Sequence, residues 1–387
     1  MRKKAMLLQA LGAELVVFGL LFLFIKIESL NTSLLFLVCA TLAGVLLARS
    51  KRLAEALGRA FSQARGATFA FSLLLVVILP WLFLRNAYIL HILIFSLIYI
   101  IAALGLNFQL GSLGMVNFAQ STFFGLGAYA SALLTTRLGL PFGIGVLGGM
   151  VVTAFFGLLL GYPSLKTKSF YLSLVTIAFC YIAFLMVHNM QWTGGPDGVS
   201  GILKPKLFGF SLARSMRLGG IVLPGSLFYY YFVLVFVLAA SLVAWRCHNS
   251  WLGLAWNAIR EDEIASRCYG IDITVNKLLA FLFGSVFAGV SGSLYAHFVG
   301  FVSPENMSFS IGLLMVSMVI LGGMDNIFGV IVGAVLLVLI PEKFRAFQDF
   351  RLLFYGLILI VMLLFRQQGL FPFRPRKYAS WKELDHA

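Results

Sequence analysis

The apolar residues of this chain lie in runs too long for the core of a soluble domain. Phe69 to Leu84 passes without a single charge, and Met6 to Ile25 holds only one, Glu14. A helix needs ~20 residues to cross ~30 Å of hydrocarbon. In lipid every backbone polar group must be satisfied within the spanning structure, which leaves helices and closed barrels. Phe69 to Leu84 lacks the alternation of a barrel strand, so the runs are read as helices. The expected fold is an all-α polytopic membrane protein with about 10–12 transmembrane or half-membrane helices. The composition agrees. In 387 residues 61% are hydrophobic, the mean hydropathy is +0.98, and only 11% are charged.

The spacing predicts spans near 6–25, 33–48, 67–84, 87–106, within 104–129, 142–161, 169–188, 226–245, 278–298 and 352–365. Two short apolar pieces, 309–323 and 327–340, flank Gly322 to Asn326 and read as half-helices or a tilted pair. With the N-terminus inside, nineteen of the 29 lysines and arginines fall in the inside segments 1–5, 49–66, 162–168, 246–277 and 366–387. The net charge of +15 therefore reads as a positive-inside membrane protein with both termini cytoplasmic, not as a nucleic-acid binder. Three regions are expected. Residues 1–66 form a two-helix extension with a basic cytoplasmic linker. Residues 67–370 form the transmembrane domain, with a charged segment at 246–276, and 371–387 a basic cytoplasmic tail. Arg2, Lys3 and Lys4 precede an apolar run with no small-residue cleavage pattern, which reads as a retained first helix. The four cysteines form no CxxC pair and read as reduced thiols.

Several chemistries are excluded. No lysine follows a glycine, so there is no phosphate-binding GxxxxGK[ST] loop. The five histidines form no HExxH or HxxxH pair, and no GxSxG elbow is present. No enzyme activity, cofactor or metal is expected. Glu14 is the one acid well inside an early span, and packing partner or functional group both remain open for it.

Three stretches carry specific information. In Leu104 to Tyr129 five glycines interrupt an apolar context that also holds Asn107, Gln109, Asn117, Gln120, Ser121 and Thr122. Broken helices in membranes are tolerated only where protein or a water-filled cavity satisfies the backbone, and transporters bind polar solutes there. Asn107, Asn117, Gln120, Ser121, Thr122 and Tyr129 are the pathway candidates. Close helix packing through Gly125 and Gly127 is the competing reading. Gly253 to Asp272 reads as a short amphipathic helix with Arg260, Glu261, Asp262 and Glu263 on its charged face, ended by Gly270. Its acidic face fits a groove of a soluble protein partner better than a lipid surface. Trp192 to Ile202 is a glycine-rich turn, placed outside, that serves as a docking surface, a pathway mouth or a plain loop. Gly284, Ala288 and Gly292 form a small-residue stripe for helix packing.

These stretches together resemble the LivM-type permeases of branched-chain amino-acid ABC transporters, over roughly residues 85–370. The resemblance rests on Gly105–Asn107 through Phe123–Tyr129, on Thr193–Gly198, and on Ala258–Glu263 followed by Gly270–Ile271. Asn117 to Gln120 is closer to the partner LivH-type subunit, where many LivM-type chains have Ser-x-Gly-His. The resemblance implies an inner-membrane permease subunit that shares a translocation pathway for branched-chain or related amino acids with a second, LivH-type permease. It implies two cytoplasmic ATPase subunits, a periplasmic solute-binding protein, and an ATPase-coupling role for Arg260, Glu261, Glu263 and Gly270. The alternatives are a permease for urea or short amides, or an ion-coupled secondary transporter.

Overall fold

The computed structural model describes residues 65–343, apart from 85, 166–168, 208–209, 213–214 and 219–220, together with scattered positions at 11–26 and 353–371. Most of the expected extension 1–66, the tail 371–387 and the last predicted span lie outside the described residues. The helices are α1 (Arg65–Leu82), α2 (Ala87–Asn107), α3 (Gln120–Thr136), α4 (Phe142–Ser164), α5 (Ser169–Asn189), α6 (Gly225–His248), α7 (Trp251–Glu261), α8 (Glu263–Cys268), α9 (Ile273–Val299), α10 (Phe309–Gly322) and α11 (Ile327–Lys343). Among the described residues five helices are long and apolar enough to cross a membrane, one of them the continuous stretch Ala87–Ser112. Glu14–Phe24, Ala70–Leu82, Phe309–Gly322 and Ile327–Glu342 are shorter apolar helices.

The chain forms two compact units. The first comprises residues 1–95, 212–232 and 338–349. Tyrosine hydroxyls tie its helices together. Tyr230 donates to Val76 O (2.9 Å) and Tyr231 to Val77 O (2.7 Å), while Trp81 Nε1 donates to Tyr231 (2.8 Å). Tyr88 donates to Glu342 Oε1 at 2.6 Å.

The second unit comprises 96–211, 233–337 and 350–387. Its core is α3, α4 and α9 packed on one another, with the C-terminal half of α2 against α3 and α9. Glycine lets these backbones touch. A Cβ at Gly127 would run into the Gly289 backbone, and one at Gly292 into Phe124 and Ala128. Gly284 lies against Gly105 and the Gln109 amide, Gly125 against Met307, and Ala288 is fully buried. Serine hydroxyls add bonds to neighbouring helices: Ser291 donates to Ile98 O (2.7 Å) and Ser293 to Gly127 O (3.2 Å). Close approach and serine bonding of this kind hold membrane helices where the hydrophobic effect gives no drive.

At one end of this unit β1 (Val199–Ser200) pairs antiparallel with Phe301–Val302, in register Val199 to Val302. The Thr-Gly-Gly-Pro-Asp-Gly turn before β1 forms two 3-10 turns, with Gly194, Gly195 and Gly198 at φ of 87°, 57° and 69°. At the other end lie α7, α8 and the turn at Gly323–Asn326.

Two expectations are corrected. The stretch 104–129 does not hold one separate interrupted span. α2 runs on into a π-helical turn at Phe108–Ser112, the chain leaves helix at 113–119, and α3 begins at Gln120. The stretch 253–270 is not one helix either. It divides at Asp262, whose extended backbone (φ −154°) ends α7 and whose carboxylate caps α8.

Candidate functional site

Wound as one helix, Ala87–Ser112 is 26 residues long. At ~1.5 Å per residue this is about 39 Å, longer than the hydrocarbon core, so the break falls at the end of a span. The π turn is closed by Met115 N–H, which donates to Gln109 O at 2.8 Å, and Gly114 follows at φ 71°. The chain then runs back alongside α2. Gln120 Nε2 donates to Ala102 O (2.9 Å) and Gly284 O (3.1 Å). Ala102 is ten residues before Ser112, so α3 starts ~15 Å back along α2, within the depth that helix covers.

Non-helical backbone at that depth needs partners. One face of α5 supplies them. Thr176 Oγ1 accepts from Phe118 N–H (3.2 Å), Ser173 Oγ donates to Val116 O (3.4 Å) and Cys180 Sγ to Phe118 O (3.3 Å). Asn117 supplies more. Its Nδ2 donates to Gln109 Oε1 (2.5 Å) and its Oδ1 accepts from Ala119 N–H (2.7 Å), at the N-terminus of α3. Ser121 donates to Met307 O at 3.4 Å. Asn107 Oδ1 accepts from Asp325 N–H at 3.0 Å. Of the pathway candidates, Asn117, Gln120, Ser121 and Thr122 have no exposed surface and Asn107 is 4% exposed. Tyr129 lies in an apolar cluster with Ala132, Val187 and Met307, and its hydroxyl has no hydrogen-bond partner among the described residues. All six sit inside this chain, and Asn107, Asn117, Gln120 and Ser121 bind its own backbone.

The charged segment has two faces. Ser250 caps α7 through Leu252 N–H (3.2 Å), and Asp262 caps α8 through Ile264 and Ala265 N–H (2.8 and 3.0 Å). At the far end Gly270, at φ 81°, donates to Arg267 O (3.0 Å) and Ile271 N–H to Ser266 O (3.1 Å), the Schellman pattern that stops a helix. The inner face grips the break. Trp256 is fully buried against Phe108 (ring centroids 5.5 Å apart), and its Nε1 donates to Asn276 O at 3.0 Å. Arg260 Nη1 donates to Gly111 O at 2.7 Å, so the π turn and α7 share a charge-assisted bond. The outer face forms a groove of about 530 Å³ lined by Trp251, Leu254, Ala258, Glu261, Asp262 and Tyr269. Ile264 is 78% and Tyr269 88% exposed beside it. Glu263 does not face outward alone: both its oxygens accept from the buried Lys277 ammonium at 2.9 and 3.0 Å.

Reading the sequence missed Trp256, Ser112, His248 and the α5 stripe as parts of this site. The stripe had a signal: small polar side chains at 173, 176 and 180 recur at helical spacing in an otherwise apolar run.

Apolar helices of spanning length and a broken helix clasped at its end by an amphipathic segment make this a multi-pass α-helical membrane protein. The family model described as the branched-chain amino acid transport system permease component matches residues 88–365, and the chain belongs to that family. It is 39% identical over 312 residues to the high-affinity branched-chain amino acid transport system permease protein LivM of Salmonella typhimurium, covering 77% of this chain and 73% of that one. It is 38% identical over 314 residues to LivM of Escherichia coli, with the same coverage. To LivH of Escherichia coli it is 22% identical over 252 residues, 62% of this chain and 79% of that one. No solved structure matches.

Proposed function

We propose that this chain is the LivM-type permease subunit of an ATP-driven inner-membrane importer of branched-chain amino acids. It pairs with a LivH-type permease, and the two share the translocation pathway. Two ATPase subunits bind at the cytoplasmic face, and a periplasmic binding protein delivers solute at the end that carries β1. Neither alternative cargo is favoured by the relatives' names, which specify branched-chain amino acids. Both termini are cytoplasmic on this reading, as is the charged segment.

The observation that carries the proposal is the two-faced segment 251–270. Its outer groove, apolar at Trp251, Leu254 and Tyr269 and acidic at Glu261 and Asp262, suits an ATPase subunit. Its inner face holds the break through Trp256 and Arg260. Displacing the segment therefore pulls on the π turn. Asn107, Asn117, Gln120, Ser121 and Thr122 act on transport by setting the shape of the broken stretch, and Gly125, Gly127, Gly284, Ala288 and Gly292 by setting helix approach.

Proteoliposomes holding this chain, its partner permease, the ATPases and a binding protein test the proposal with radiolabelled leucine. ATP-dependent uptake is expected, and Trp251→Ser with Leu254→Ser should lower ATPase binding while the permease pair stays assembled. Leucine accumulation by the permease pair without ATPases would contradict it.

A further inference from the structure

Asp325 is the one non-glycine residue at positive φ (62°) among the described residues. It is 2% exposed, and its contacts converge from both sides of the break. Oδ1 accepts from Ser112 Oγ at 2.5 Å, the last residue of the π turn. Its backbone N–H donates to Asn107 Oδ1 at 3.0 Å, one residue before that turn. His248 Nδ1 lies 3.3 Å from the same Oδ1. His248 ends α6, two residues before the cap of α7. Between these contacts sits Gly111, where a Cβ would collide with Asn107 Oδ1 and the Asp325 amide and whose carbonyl takes the Arg260 bond. Oδ2 of Asp325 is buried with no hydrogen-bond partner among the described residues. A buried carboxylate in a strained backbone conformation, half unpaired, is costly and calls for a reason beyond packing.

We propose that Asp325 is a positioning residue for transport, a latch that ties the π turn at Phe108–Ser112 to His248 at the entrance of the charged segment. This rests on the permease reading above. Arg260 pulls on the turn from α7; Asp325 fixes the turn to the start of that segment and to the loop between α10 and α11. With both contacts in place, a tilt of α7 moves the end of α2. Without the carboxylate, the same tilt is absorbed in the loop.

The test separates the carboxylate from the backbone. Glycine accepts φ of 62° without strain but has no carboxylate, whereas asparagine tolerates that φ and still accepts from Ser112. The readout is leucine moved per ATP hydrolysed in proteoliposomes of the complete transporter. Asp325→Gly should lower that ratio about tenfold with ATP hydrolysis and assembly kept, and Asp325→Asn about threefold at most. Ser112→Ala should lower it as well, and adding it to Asp325→Gly should cost nothing further, because both remove one contact. An unchanged ratio in Asp325→Gly overturns the latch. So does a loss that only tracks the amount of assembled complex. If Asp325→Gly does not assemble, Ser112→Ala decides alone, and a native ratio there overturns the latch. Absence of ATP-dependent uptake in the unsubstituted complex would instead overturn the permease reading, and the latch with it.

Discussion

The two ends of the second unit are closed by different chemistry. At the β1 end the seal is led by backbone pairing: Val199 and Ser200 pair with Phe301 and Val302, Thr193 and His297 add side-chain bonds to Val187 O and Leu203 O, and glycines at φ of 57° to 87° turn the chain so tightly that a Cβ at Gly198 would strike Val302 O. At the break side chains make the seal: Asn107, Asn117, Gln120, Thr176 and Arg260 bond to backbone, and Ser112 bonds to the Asp325 carboxylate. Backbone ladders and left-handed turns offer one arrangement. Amide and hydroxyl groups can exchange partners at little net cost, since each such bond contributes only about 0.5–1.5 kcal/mol, against ~1.5–3 kcal/mol for the guanidinium bond. On the proposed mechanism the first end stays fixed and the second rearranges when the charged segment moves.

That contrast can be broken at either end. The largest effect is expected at the rigid one. Gly198→Leu forces a side chain into φ of 69° and into Val302 O, and should lower stability by ~3 kcal/mol. A melting curve in detergent checks this, and uptake should fall only as far as the amount of folded protein does. At the break, Asn117→Leu leaves Gln109 Oε1 and Ala119 N–H without their present partner, a loss of ~2 kcal/mol in all. Here leucine moved per ATP should fall further than the folded fraction. A loss of folded protein alone would return the stretch 104–129 to plain packing. Glu263→Ala removes the carboxylate from Lys277 and should loosen α8 against α9; less leucine per ATP with assembly intact is expected. The smallest change in stability is expected for Ile264→Ser on the outer face, within ~0.5 kcal/mol because the side chain is 78% exposed. Its measurable effect should be weaker ATPase binding in a pull-down.

Much of the architecture was legible in the sequence because membrane helices announce themselves by length. The spans expected at 142–161 and 226–245 are α4 and α6, a few residues longer at the ends where polar side chains reach past the apolar run. The stop at Gly270 was legible from residue type, because only a left-handed residue closes that helix. The division at Asp262 was not, although an aspartate followed by Glu-Ile-Ala is a ready N-cap. The continuous charge pattern hid it. The π turn was legible as trouble, through its glycines, but not in form. Its shape depends on Gln109 meeting Asn117 eight residues on and on Ser112 meeting Asp325 from 213 residues away. Pairings of that range leave no local pattern.

On the proposed mechanism the segment 251–270 works the broken helix through Arg260. Arg260→Ala removes the one guanidinium bond to Gly111 and leaves Trp256 in place. The direct measurement is leucine imported per ATP hydrolysed by the reconstituted transporter carrying this substitution. Hydrolysis should stay within about twofold of the native complex while the ratio falls about tenfold. Import and hydrolysis that stay in native proportion would contradict it.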